Sequence, residues 1–322
     1  MKRQQGVALI TILVMVALAT ILAASIVKHQ SNTAQNTGYL IRQNQSLLYA
    51  KSAEAFFSEL LVQDAQNAAE ADHPAEIWAQ PMPPFPVEDG FVSGVLKDES
   101  GKFNLNNLVD AQDKVDENAK AWFEQLLIRV GLSPQLSEAV IDWQDRNDEV
   151  SGSAGAESSY YQGLSRPYLA ANTKFHSVDE LRMVRGFEGK NFDLIRPYVT
   201  ALPSNAPTKV NINTASTLLL TSLDTSLNPA AVQNALQEKM SNMGYFKSVD
   251  ELWTLDAFKG VSAENRNKFK NLLDVRSDYF RAYIEVLLSE RKRQFTSDLV
   301  RINKKVYVYS RSLASVPKAA MD

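Results

Sequence analysis

Residues 7–27 read VALITILVMVALATILAASIV, and the six residues MKRQQG precede them. Eighteen of these 21 residues are apolar; the exceptions are Thr11, Thr20 and Ser25, and the run holds no charge, Pro or Gly. At ~1.5 Å rise per residue such a helix spans the ~30 Å hydrocarbon core of a bilayer. Lys2 and Arg3 lie ahead of the run, so the positive-inside rule sets the N-terminus in the cytoplasm and the rest of the chain across the membrane. A cleaved signal peptide is one reading, but its apolar region is usually ~7–15 residues and ends at a small-residue cleavage site. Here the run is longer and closes on Ile26-Val27-Lys28-His29-Gln30. A plain uncleaved anchor is a second reading. Neither accounts for a short hydrophilic leader that stops at Gly6.

Beyond the run, residues 28–63 contain no Pro and one Gly, Gly38. Leu40, Leu47, Leu48, Phe56, Phe57, Leu60 and Leu61 recur near helical spacing among polar residues, which predicts that the helix continues into solvent. Its total length is on the order of 80 Å. Pro74, Pro81, Pro83, Pro84 and Pro86 follow and cannot continue it. Residues 91–105 (FVSGVLKDESGKFNL) read as a hairpin turning at Asp98-Glu99-Ser100-Gly101. A strand-rich block closes the chain at 279–288, 299–302 and 306–309. The fold class is therefore α+β: one long helix on an antiparallel sheet of about four strands.

The chain has 322 residues, 34 Lys and Arg against 37 Asp and Glu, and a formal net charge of -3. That balance lacks the basic excess of a general nucleic-acid binder. With no cysteine, disulfides, thiolate nucleophiles and Cys-based metal sites are excluded. The three histidines, His29, His73 and His176, are far apart in sequence and support neither a zinc motif nor a catalytic triad. Gly186-Phe187-Glu188-Gly189-Lys190 lacks P-loop spacing. An enzyme is not indicated.

The middle of the chain, residues 109–275, has helical patterning and a duplication. Lys102-Phe103-Asn104-Leu105-Asn106 matches Lys209-Val210-Asn211-Ile212-Asn213, and Phe175-His176-Ser177-Val178-Asp179-Glu180-Leu181 matches Phe246-Lys247-Ser248-Val249-Asp250-Glu251-Leu252. The second pair differs at one position of seven, far beyond chance. Ser followed three residues on by Glu is a capping-box pattern that opens a helix.

The first copy is longer than the second, and the excess falls largely on residues 141–172, IDWQDRNDEVSGSAGAESSYYQGLSRPYLAAN. Asp142, Asp145, Asn147, Asp148, Glu149 and Glu157 are hard oxygen donors of the kind calcium takes. An EF-hand register fails: counting from Asp145, the sixth position is Val150 and the twelfth is Ala156. From the residues alone, a calcium loop and a solvated, turn-rich loop both stand.

The leader MKRQQG ahead of an apolar helix resembles the type IV pilin and type II secretion pseudopilin class, cut by a prepilin peptidase after Gly6 so that Val7 becomes the methylated N-terminus. Major pilins carry Glu at the fifth mature position, where this chain has Thr11. In a filament that carboxylate pairs with the terminal amine of a neighbour added earlier; a subunit added first has no such partner, and an uncharged residue avoids burying a lone charge. Thr11 is the departure found in K-type minor pseudopilins. The second repeat copy resembles the helix-hairpin-helix modules of DNA-uptake proteins, but Leu223-Asp224-Thr225-Ser226-Leu227 lacks their glycines and adds an acid. The K-type resemblance extends to Asp142-Trp143-Gln144-Asp145, Gly155-Ala156-Glu157-Ser158-Ser159-Tyr160-Tyr161 and Pro167-Tyr168-Leu169-Ala170-Ala171-Asn172. It implies a calcium cofactor, with Asp142, Asp145, Asn147, Asp148, Glu157 and Asn172 as the expected ligands, while Tyr160, Tyr161 and Tyr168 pack.

The resemblance implies a pilin-like helix and sheet with a large inserted all-α domain of two SAM-like, helix-hairpin-helix-like modules. The segments are a leader (1–6), a transmembrane segment (7–27), the rest of the helix with the first strands (28–108), the duplicated insert (109–275) and the closing strands (276–322). It implies a tip subunit of the type II secretion pseudopilus, single-pass in the inner membrane with a periplasmic body. The partners implied are the other minor pseudopilins of I, J and H types, the major pseudopilin and the prepilin peptidase, with no nucleic acid. The alternative is a membrane-anchored helix-hairpin-helix receptor for DNA uptake.

Overall fold

A computed structural model describes residues 5–67, 70–204, 206–242 and 244–313. The remainder of the leader, residues 1–4, lies outside the described residues. Helix α1, Gln5–Gln66, is continuous over 62 residues, about 90 Å at helical rise. Its apolar first third is exposed throughout, and it is the one helix among the described residues long and apolar enough to cross a membrane. Thr11 donates its hydroxyl to the Val7 carbonyl at 2.5 Å, and Thr20 to Val16 at 2.8 Å. Both hydroxyls are thus satisfied inside the helix, as a segment in hydrocarbon requires.

Further along, α1 changes surroundings. Ala50, Ala53, Phe57 and Leu61 are buried in one cluster with Val92, Leu96, Phe280, Ala282, Ile284, Val286 and Leu299. These residues come from a five-stranded antiparallel sheet of order β1-β2-β7-β8-β9: β1 Met82–Val87, β2 Gly90–Asp98, β7 Tyr279–Leu288, β8 Arg291–Ile302 and β9 Lys305–Ser312. Strand β7 alternates without a break, burying Phe280, Ala282, Ile284, Val286 and Leu288. Gly94 is what lets the helix approach: a Cβ there would lie 3.0 Å from the Phe57 ring and 2.7 Å from the Tyr283 carbonyl. Each fully buried Phe or Leu on this face stabilises by about 1.5–3 kcal/mol.

Three expectations are corrected. The sheet has a fifth strand, β1, built from the proline-rich segment MPPFPV. Prolines are tolerated there because it is an edge strand, with only one ladder to serve. The expected hairpin over 91–105 does not form; β2 pairs with β1 and β7 instead. The turn after Asp98 is real, with Ser100 donating its N–H to Asp98 Oδ1 at 2.7 Å. It sends the chain out of the sheet. Strand β3, Phe103–Asn104, pairs in parallel with β4, Val199–Thr200, and Phe103, Leu105 and Leu108 are buried in the helical insert. The insert thus begins earlier than residue 109.

The insert fills the connection between β2 and β7, which are adjacent and in register from Gly90↔Leu288 to Asp98↔Phe280. The chain leaves and returns at one point, where Glu99 donates its N–H to the Tyr279 carbonyl at 2.9 Å. Inside are helices α2 Glu117–Arg129, α3 Leu136–Gln144, α4 Ser158–Gln162, α5 Lys190–Ile195, α6 Thr217–Thr221, α7 Pro229–Ser241, α8 Val249–Leu252 and α9 Ala263–Lys270. A second parallel pair, β5 Val210–Asn211 with β6 Leu273–Asp274, repeats the β3–β4 arrangement. One core spans both copies, and Trp122 of the first donates to Ser222 of the second at 2.9 Å.

The duplication has a physical content. In the first copy Asn106 donates its amide to the Phe175 carbonyl at 2.9 Å and accepts the Phe175 N–H at 2.8 Å. In the second, Asn213 does the same to Phe246 at 3.0 and 2.7 Å. The two sequence matches are therefore the two halves of one clamp, each half useless without the other.

Candidate metal centre

Helix α3 carries Asp142 on its last turn and ends at Asp145, whose carboxylate lies just beyond the helix. Glu157 sits at the N-cap of α4 yet makes no side-chain cap bond. Its carboxylate turns toward the other two, and one oxygen from each of Asp142, Asp145 and Glu157 lies within 4.8 Å of the others. All three residues are buried. Asn172 is held in the left-handed region at φ 45°.

The site is short of positive partners. Asp142 accepts the Ser151 N–H, an uncharged donor, at 3.1 and 3.2 Å. Asp145 Oδ1, both carboxylate oxygens of Glu157 and Asn172 Oδ1 are buried and have no hydrogen-bond partner; they are four of the seven such atoms among the described residues. Unmade bonds to buried carboxylates are costly, at about 1–3 kcal/mol each or more. Burial pushes Glu157 up to about 7, with the charges of Asp142, Asp145 and Asp148 adding to it. Burial and then Asp142 and Asp113 push Asp145 up to about 6. Burial likewise raises Asp142.

The local backbone is shaped around these oxygens. A Cβ at Gly155 would fall 2.4 Å from Asp142 Oδ2 and 2.3 Å from the Ser151 carbonyl, so only glycine fits. Behind the site Trp143, Tyr161 and Tyr168 pack edge-on and stacked, with centroids 5.2–6.3 Å apart. The expected packing role of these tyrosines matches this cluster. Three carboxylates, with no nitrogen or sulfur donor among them, form a set suited to a hard cation such as calcium rather than to zinc. The residues present fit such an ion.

Of the six residues expected from sequence, the structure brings together Asp142, Asp145 and Glu157, and leaves Asn172 with the same unpaired oxygen. Asn147 and Asp148 lie on the exposed loop. Asn147 Oδ1 already accepts the Glu149 N–H at 2.7 Å, and Asp148 acts on Glu157 through its charge. Sequence reasoning missed Glu138, which accepts the Ala154 N–H at 2.7 Å and orders the loop. Its signal was present: Glu138 and Asp142 are four apart on one helical face. The residues expected to flank the leader cut, Gly6 and Val7, fall in the first turn of α1, and Val7 is exposed.

The hairpin of the second copy is closed to phosphate by its own side chain. Asp224 accepts the Ser226 N–H at 2.9 Å, the Ser262 N–H at 3.4 Å and the Asn265 amide at 2.8 Å. Burial pushes this carboxylate up, but these donors outweigh it and hold it below the usual range. Arg129 from the first copy takes the carbonyls of Asp224, Thr225 and Leu227 at 2.7–3.2 Å. The amides that would meet a phosphate already hold an anion.

Comparison with known proteins agrees with this architecture. Sequence models of the family described as "Type II secretion system (T2SS), protein K" match residues 101–204 and 210–276, dividing the insert between its two copies. Type II secretion system protein K of Aeromonas hydrophila is 32% identical, over 93% of this chain and 94% of that protein. The Pseudomonas aeruginosa protein K is 32% identical, over 93% and 90%. Putative protein K of Escherichia coli K12 is 28% identical, over 97% and 98%. A crystal structure of the GspK–GspI–GspJ complex from enterotoxigenic Escherichia coli shares the fold, with a TM-score of 0.78 and 23% identity over 87% of this chain and 100% of that one. The DNA-uptake alternative finds no support in these relatives. With its long apolar-headed helix, its sheet and its duplicated insert, the chain belongs to the type II secretion system protein K family and is a minor pseudopilin of that secretion system.

Proposed function

We propose that this chain is the tip subunit of the pseudopilus, starting or capping its assembly. The observation that carries the reading is where the insert sits. It joins the sheet at Asp98 and Tyr279, and Asp72 beside that junction shares Arg301 with Asp64, near the end of α1. The insert therefore lies at the far end of the stem from its apolar segment. A filament extended from the membrane side leaves that end uncovered, and a subunit stacked above would collide with the insert.

The stem offers the contacts for assembly. Leu40, Ile41, Leu48 and Phe56 are exposed on the part of α1 that the sheet does not cover. In the solved relative the K protein is in complex with GspI and GspJ; corresponding I- and J-type subunits, with H-type and major pseudopilins below, are the partners of this stem. Thr11 fits a first-added subunit, since its hydroxyl bonds within its own helix and needs no neighbour's amine. The apolar segment anchors the chain in the inner membrane, with its body in the periplasm, until assembly draws it out. A prepilin peptidase cuts between Gly6 and Val7, and Val7 is methylated. Asp142, Asp145, Glu157 and Asn172 hold calcium, which neutralises the carboxylates and ties the ends of α3 and α4 together. The ion's task is structural, and no residue is assigned a catalytic role.

N-terminal mass analysis of the membrane-expressed chain, with the leader peptidase present, tests the reading. The expected chain begins at Val7. An intact leader, or a cut beyond the apolar run, would overturn it.

A further inference from the structure

The end of the sheet nearest the apolar segment carries arginines that the chain itself does not neutralise. Strands β7 and β8 turn at Ser289 and Glu290, and this hairpin meets α1 around Gly38, Tyr39 and Arg42. The guanidiniums of Arg291 and Arg293 each lie 5.3 Å from the centre of the Tyr39 ring. With Arg42 they line a cavity of about 470 Å³ between hairpin and stem, within the roughly 300–1,000 Å³ of small-molecule sites. The wall at Gly38 faces open space, where a Cβ would meet nothing within 4 Å.

Elsewhere on the sheet the chain pairs its arginines. Arg281 holds Asp298 at 2.5 Å, Arg301 holds Asp64 at 2.7 Å and Asp72 at 2.6 Å, and Arg311 holds Glu54 at 2.8 Å. Lys292, between the two hairpin arginines, alternates to the other face and pairs with Glu285 at 2.5 Å. Arg42, Arg291 and Arg293 have no ion pair among the described residues, although Glu88, Asp89 and Glu290 stand exposed in the two turns at this end. Three like charges around one cavity repel one another, and an anion seated among them turns that repulsion into attraction.

We infer that this cavity takes the phosphate of an anionic phospholipid headgroup, so that the body of the chain is seated on the bilayer that its apolar segment crosses. The inference rests on the reading of that segment as a membrane anchor. Position selects the lipid. Ala34, at the edge of the cavity toward the apolar segment, is seven residues past Val27, about 10 Å at helical rise. Headgroups reach about 5–8 Å beyond the hydrocarbon core on each side. Helical side chains lean toward the N-terminus, so Arg42 leans toward the membrane. A tilt of about 20°, usual for a spanning helix, lowers the hairpin further when it falls on the sheet side.

The chemistry agrees with the position. Guanidinium presents paired donors that match phosphate oxygens, and Tyr39 is of the amphipathic kind that favours the membrane interface. Free phosphate shares this chemistry, but only a headgroup is held at this height. The seat fixes how the body stands on the membrane before assembly, and the contact is surrendered when the apolar segment leaves the bilayer.

The chain has no cysteine, so Ser289→Cys gives one site for a fluorophore at the tip of the hairpin. The full chain so labelled is placed in nanodiscs of phosphatidylcholine, with or without phosphatidylglycerol, that carry a trace of acceptor-labelled headgroup. Energy transfer then reports how close the hairpin lies to the headgroups. It should be higher in the anionic discs and fall as salt is raised. Arg291→Gln and Arg293→Gln should each lower the ratio of seated to free chain about fivefold. Lys292→Gln removes the same charge from the same hairpin outside the cavity, and should change the ratio less than about twofold. Equal transfer in the two lipids would overturn the seat. So would a loss in Lys292→Gln as large as in Arg293→Gln, because diffuse charge and no cavity would then be at work. Inorganic phosphate that displaces the hairpin at constant ionic strength would overturn it too, since the cavity would then prefer a free anion. If an arginine variant misfolds, the comparison of the two lipids without it still decides. A chain that fails to enter the discs overturns the anchor and the seat with it; one that enters and ignores the lipid overturns the seat alone.

Discussion

The two halves of the insert share one clamp and differ in how they treat buried acid. In the second, Asp224 is surrounded by donors and sits below its usual range. In the first, Asp145 and Glu157 have unpaired oxygens and sit well above theirs. A duplication gave both halves the same frame, so the difference lies in the loop between α3 and α4. One half is complete from its own residues; the other is complete only with something added. Those unpaired oxygens are what the proposed calcium would meet.

The clamps should give the largest effect. Asn106→Ala leaves the Phe175 N–H and carbonyl unpaired, and also removes a bond to the Leu202 carbonyl at 3.1 Å. At about 1–3 kcal/mol per buried group left unmade, it should cost about 3–4 kcal/mol in a denaturant titration. Asn213→Ala breaks only the Phe246 pair and should cost less. Equal costs would mean that the copies are more alike than their contacts.

Calcium comes next. At a hundredfold excess over its dissociation constant, it should add about 2.7 kcal/mol of stability, read as a rise in melting midpoint that Glu157→Gln abolishes. Without the ion the raised carboxylates reverse the usual trend: their protons stabilise below about 4, and this is lost as pH rises through about 6 to 7. The benefit of calcium should therefore grow with pH over that window. A calcium effect that is constant from pH 5.5 to 8 would break the assignment.

The smallest contrast is in the caps. Ser177 forms a full capping box with Glu180, while Ser248 makes no side-chain cap bond. Ser177→Ala should cost about 1 kcal/mol and Ser248→Ala close to nothing, by comparison of thermal melts.

Much of this was readable in the residues. The apolar run, the alternation of β7 and the paired repeats fixed the helix, the sheet and the insert, because each is a periodic or repeated pattern. The three carboxylates of the candidate metal centre were legible from their acid content. What could not be read was long-range. The KFNLN stretch looks like the returning strand of a hairpin with β2, yet its partner is Val199–Thr200, some hundred residues on. MPPFPV looks like a chain breaker, and becomes a strand only because an edge was free.

The common point of departure and return at Glu99 and Tyr279 also bears on how the chain reaches its native state. Strands β2 and β7 are hydrogen-bonded neighbours, but their sequence separation makes bringing them together by chance a slow search. If the insert folds first, its own parallel pairs hold those ends side by side, and the longest-range ladder in the sheet becomes in effect a short one. The pilin half would then be a late folder, templated by its own interruption.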